Sequence, residues 1–185
     1  MLSTRRSVIV TNPFTNPTDA YMVESIVNFV IGLKGKRKYR KGSCIRERKS
    51  RNIADALVHI ANGIQDHIRN FVEANRNEYH GFDDEDFNSM VDVLSKGLDL
   101  RHYRAISFVV HCCKISLLAA VMYDLDFNKA PVLAQQHILK IVGLYRSRNQ
   151  FNESRWRYLN SAMFHYIIDN NAFSDRRSPV CPRLQ

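Results

Sequence analysis

The stretch AISFVVHCCKISLLAAVMY, from Ala105 to Tyr123, constrains the fold more than any other part of the chain. It is apolar on nearly every side, broken by His111 and Lys114. A helix of this kind is buried by neighbours on several sides, because any face left in water would carry exposed hydrocarbon. No run reaches the roughly eighteen uninterrupted apolar residues of a membrane span. With 185 residues the chain is long enough for one domain with a real core, and the expectation is a helical bundle organised by this axis.

The remaining segments supply the neighbours. Thr18 or Asp19 is expected to cap a first helix from about Ala20 to Leu33, with Val23, Ile26, Val27, Val30 and Ile31 on one face. A second amphipathic helix is expected from Ile53 to Ala74 and a third from Asp84 to Leu94, its start favoured by the acids Asp83 to Asp86. The axial helix follows, from near His102 to Tyr123. Pro131 suits the first turn of a further helix that runs to about Tyr145. Two short helices around Trp156 and Phe164 complete an all-α globular fold. The expected layout is a lead-in over residues 1–18, one domain over 19–172 containing a basic loop at 34–51, and a polar tail at 173–185 without a membrane anchor.

The net charge of +9 belongs to the loop. Ten basic residues lie between Lys34 and Arg51 against Glu47 alone, so the rest of the chain sums to zero. Three readings of the segment stay open: a solvated connector, attraction to an anionic membrane surface, or nucleic-acid binding. The last has least support, because Tyr39 is the only aromatic in the run and no recognition-helix or zinc-finger spacing occurs. Four cysteines without a CxxC pair suggest a reducing compartment, with the adjacent Cys112 and Cys113 as buried thiols.

Patterns for catalysis are missing. The chain has no GxSxG, no phosphate-cradling glycine loop, no HExxH and no dinucleotide fingerprint. Its seven histidines show no metal-ligand spacing, and His111 reads as a satisfied core or groove histidine. The chain is expected not to be an enzyme, and neither cofactor nor metal is expected.

Within the second helix, Ile53, Leu57, Ile60 and Ile64 form a stripe with the small Ala61 and the polar Asn62 between its last two members. This pattern resembles the third homology motif of the Bcl-2 family of apoptosis regulators, in which four apolar anchors flank a small residue and an acid. Asn62 stands in the acid's place; it can hydrogen-bond but cannot form an ion pair. Further on, VDVLSKGLDLRHYRAISFVV resembles the family's first homology motif: Gly97 matches its glycine and Arg104 its arginine. Arg101, His102 and Tyr103 replace its asparagine, tryptophan and glycine. Trp156 stands in for the tryptophan of the second motif, without the paired glycines. The resemblance spans about Ala20 to Phe164 in helix order.

The resemblance implies a Bcl-2-like bundle with a surface groove that receives amphipathic helices of pro-apoptotic partners. Arg104 would pair with the partner's acid. Met90, Val93 and Leu94 would form one wall, Ser107, Phe108 and His111 the floor, and Ile68, Phe71 and Val72 the other wall. The implied outcome is inhibition of apoptosis by a cytoplasmic protein that associates with the mitochondrial outer membrane. The alternative is a membrane-permeabilising effector of the Bax and Bak type. Homo- or hetero-dimers, and an anionic membrane facing residues 34–51, are the further partners considered.

Overall fold

The computed structural model describes residues 16–34, 50–76 and 81–170. Most of the lead-in, most of the basic loop, His80 and the polar tail lie outside the described residues. The described residues form six helices: α1 (Pro17–Leu33), α2 (Arg51–Ala74), α3 (Asp84–Ser95), α4 (Ala105–Asp124), α5 (Ala130–Ser147) and α6 (Glu153–Asp169). No strand occurs among them. The fold is all-α, and α4 is its axis, with every other helix packing on it. Residues from Val109 through Ala120 are fully or almost fully buried except Val110 and Lys114.

Each neighbour buries the stripe its spacing allows. α1 begins earlier than its apolar pattern predicts, because the Asn16 side chain accepts from Thr18 N at 2.9 Å and Pro17 occupies the first turn. In α2 the residues Ile53, Leu57 and Ile60 are at most 5% exposed, and Ala61 is buried in the core with them. Burial of each such aliphatic side chain contributes roughly 2 kcal/mol. The start of α2 has no cap of its own; the Asn160 side chain of α6 accepts from the backbone N–H groups of Asn52 (3.1 Å) and Ile53 (3.4 Å). That cross-helix bond accompanies a correction, since α6 is one continuous helix instead of two short ones. Trp156, Leu159, Met163 and Ile167 give it a single buried stripe through the Asn160-Ser161 pair, and packing overrides the weak helix propensity there.

The ends of α4 and α5 close alike. Asp126 (φ 70°) and Asn149 (φ 56°) take the left-handed conformation that short polar side chains tolerate. Phe127 N then donates to Met122 O at 3.0 Å and Gln150 N to Tyr145 O at 2.9 Å. These six-to-one bonds satisfy carbonyls at each helix end, and the second fixes Gln150 beside the connector between α3 and α4.

Candidate functional site

The site grows from that connector. α3 opens on a capping box, in which Asp83 accepts from Asp86 N at 2.9 Å and Asp86 accepts from Asp83 N at 3.1 Å. It closes through Gly97 N and Leu98 N, which both donate to Ser95 O. Asp99 next accepts from Arg101 N at 2.8 Å and lies 3.0 Å from His102 Nδ1. The Arg101 N–H, followed by the His102 side chain, holds the Asp99 carboxyl below its usual range.

Four bonds then pin the backbone of the connector. Tyr145 Oη donates to Asp99 O at 3.0 Å, the Arg148 guanidinium donates to Leu100 O, Gln150 Nε2 donates to Arg101 O, and Tyr103 N donates to Gln150 Oε1 at 2.8 Å. The Tyr103 ring packs edge-on against Tyr145 and Phe151, at 5.3 and 5.2 Å between centroids. Its hydroxyl is buried without a partner, and burial pushes its pKa up. Arg104 follows as the N-cap residue of α4, exposed, with no side-chain cap bond.

A cleft of about 200 Å³ lies between the end of α3 and the first half of α4. Leu94, Gly97 and Leu98 form one side, and Ile106, Ser107, Val110, His111 and Lys114 the other. A Cβ placed on Gly97 would meet nothing within 4 Å, so the glycine leaves open space and relieves no clash. No carboxylate lines the cleft. Neither Arg104 nor Lys114 forms an ion pair among the described residues.

Beneath the cleft, His111 Nε2 lies 3.3 Å from His137 Nε2 of α5. Burial, then the neighbouring His137 and Lys114, lowers the His111 pKa to about 4. Burial and Lys140 lower that of His137, against Asp92, which raises it. One neutral imidazole therefore donates to the other across the α4–α5 seam. Cys112 and Cys113 are fully buried free thiols. Burial raises both, Cys113 to about 12, so neither is a nucleophile at neutral pH. Among the described residues no group of three or more His, Cys, Asp and Glu side chains is arranged for a metal ion.

The expected groove residues divide into those buried or on other faces of the fold, the exposed Arg104 and Val93 outside the lining, and those at the cleft. Leu94, Ser107 and His111 line it. Val93 is exposed beside Leu94 but outside the lining. Met90 is buried, and Phe108 is fully so, turned away from the cleft among Tyr103, Tyr145, Phe151 and Trp156. The reason is angular: the cleft face of α4 is the stripe Ile106–Ser107, Val110–His111 and Lys114, and Phe108, one step of about 100° past Ser107, turns into the core. Ile68 and Val72 are buried, Phe71 is half-buried, and none of the three lines this cleft. In the motif-like stripe of α2, Ile53, Leu57, Ile60 and Ala61 are spent on this chain's own core, Ile64 is half-buried, and Asn62 is exposed.

Leu98, Ile106, Val110 and Lys114 were not expected at the site. The available signal was the polar stripe Ser107, His111, Lys114, spaced four and three along an otherwise apolar helix. Asp19 held a second surprise. It is 3% exposed, pairs with Arg146 through two bonds of 2.5 and 2.8 Å, and accepts from Trp156 Nε1 at 2.8 Å. This three-residue knot ties α1, α5 and α6 together close to the aromatic cluster.

No family model, curated protein or solved structure matches the chain.

Proposed function

We propose that the chain is a Bcl-2-type regulator of apoptosis that captures the amphipathic helix of a pro-apoptotic partner in the cleft between α3 and α4. The observation that carries the reading is the cleft itself: largely apolar, free of acids, and bounded by a connector whose backbone is held by four hydrogen bonds. An exposed Arg104 without an ion pair stands at the start of α4, two residues before Ile106. A cation there is opposed by the helix macrodipole, and an incoming carboxylate relieves that opposition. The aromatic packing of Phe151 and Trp156 against the residues at the start of α4 is in keeping with the likeness to the first and second homology motifs. On this reading the protein sequesters death-promoting helices, protects the cell, and works in the cytoplasm and at the mitochondrial outer membrane.

The test is fluorescence polarisation with a labelled amphipathic peptide carrying four apolar anchors and one acid. Sub-micromolar binding that Arg104→Glu abolishes supports the assignment; binding indifferent to that substitution removes it.

The effector alternative draws on one feature, a 20-residue α4 long and apolar enough to cross a membrane. With 67% of its apolar window buried, α4 already serves as a core helix, and insertion would require the bundle to open. Dye release from liposomes of mitochondrial lipid composition separates the two. Release on activation favours the effector, and intact vesicles together with tight peptide binding favour the protective protein.

A further inference from the structure

The cleft is electrostatically lopsided in a way that a single anchoring arginine does not explain. Ser107, His111 and Lys114 follow one face of α4, and all three line the cleft. Arg104 lies three residues ahead of Ser107 at the helix start, ten residues from Lys114. At 1.5 Å per residue the two cations are separated by about 15 Å along the axis. Lys114 is half-buried, with no acid in the lining and no ion pair among the described residues. Its charge falls on His111, whose imidazole is neutral and gives it no counter-ion. An ammonium held beside apolar groups gains most from a carboxylate brought in by a ligand.

We propose that Lys114 is the specificity-determining residue of the cleft, selecting partner helices that carry a second carboxylate eleven residues from the one that meets Arg104. This rests on the helix-binding reading above. A bound helix running along α4 has the same rise per residue, so that spacing matches the distance between the two cations. Eleven residues also return a helical side chain to within about 20° of the same face, whereas ten leave it about 80° away and nine turn it to the opposite one. The occupant is thus an acidic amphipathic helix with an apolar middle and an acid near each end.

The experiment uses the full chain and synthetic helical peptides with identical apolar anchors. They carry one glutamate, a second glutamate eleven residues on, or a second glutamate nine residues on. The eleven-residue peptide is expected to bind about tenfold more tightly than the single-acid peptide, in line with a charge-assisted bond in a partly desolvated setting. The nine-residue peptide is expected to match the single-acid one. Lys114→Gln should erase the tenfold gain, and Lys114→Glu should recover it for a peptide with lysine at the second position. Circular dichroism establishes that both variants remain helical. If every peptide binds the wild type equally and Lys114→Gln changes nothing, the role of Lys114 is overturned while the cleft stays a helix site. If no peptide binds at all, the helix-binding reading falls, and this selection with it.

Discussion

Two regions meet at the start of α4 and are built on opposite principles. On one side the aromatic cluster of Tyr103, Phe108, Tyr145, Phe151 and Trp156 is packed edge to face, and the Asp19–Arg146–Trp156 knot beside it pairs both carboxylate oxygens of Asp19. On the other side the cleft exposes Ile106, which is 45% accessible, and holds Lys114; neither Lys114 nor Arg104, which stands outside the lining at the helix start, forms an ion pair among the described residues. The contrast teaches how a surface site can be firm without being filled. The closed side anchors the α3–α4 connector, so the open side keeps its shape although its apolar and cationic groups are left uncovered.

The largest test of this contrast strikes the closed side. Phe108→Ala should destabilise the fold by about 4 kcal/mol, through lost transfer energy and the cavity left behind; urea denaturation gives the value. A loss below about 1 kcal/mol would mean that the cluster does not anchor the connector. Asp19→Ala comes next. It strands the Arg146 guanidinium and the Trp156 N–H without their acceptor, and should cost about 3 kcal/mol by the same measurement. Replacement of Asp19 by Asn should recover part of that, since the amide oxygen still accepts from Trp156.

The third test concerns the seam between the two sides. The folded-state pKa of His111 lies at about 4, below its ordinary value of 6.5. The fold therefore favours the neutral imidazole, and the unfolded chain binds more protons between those values. The associated stability is present above about pH 6.5 and is lost as the pH falls toward 4. About 2 kcal/mol should disappear between pH 7 and pH 5 on account of His111. His111→Phe should flatten the profile over that range; an unchanged slope would assign the pH dependence to other groups. The smallest effect belongs to the exposed Lys129–Asp84 pair (3.0 Å), which ties α3 to the start of α5. Lys129→Ala should cost under about 0.5 kcal/mol, because solvent screens exposed pairs.

How much of this was legible in the sequence follows the same division. The axial helix and the stripes of α1 and α2 could be read from periodicity, because burial by position is a local property of the chain. The Asp19 carboxylate could not. An acid near a helix start reads as a cap, and nothing local reveals that Arg146, 127 residues away, will cover it. The continuity of α6 was hidden for a related reason, since Asn160 looks like a breaker until α2 supplies two backbone donors for it. The cleft was half legible. Leu94, Ser107 and His111 came from what the resemblance to the Bcl-2 family implies, whereas Ile106, Val110 and Lys114 depend on where α3 ends relative to α4. Periodicity does not carry that tertiary fact. The His111–His137 bond likewise joins two helices whose separate patterns give no sign of it.

The most direct test of the central claim is an amide-resolved NMR titration of the full chain with an acid-bearing amphipathic helical peptide. Shifts should concentrate at Leu94, Gly97, Leu98, Ile106, Ser107 and Val110, while the amides of Trp156 and Leu159 on the closed side stay in place. Shifts gathered instead on the exposed Tyr158, Phe164 and Ile168 of α6, or none anywhere at saturating peptide, would contradict it.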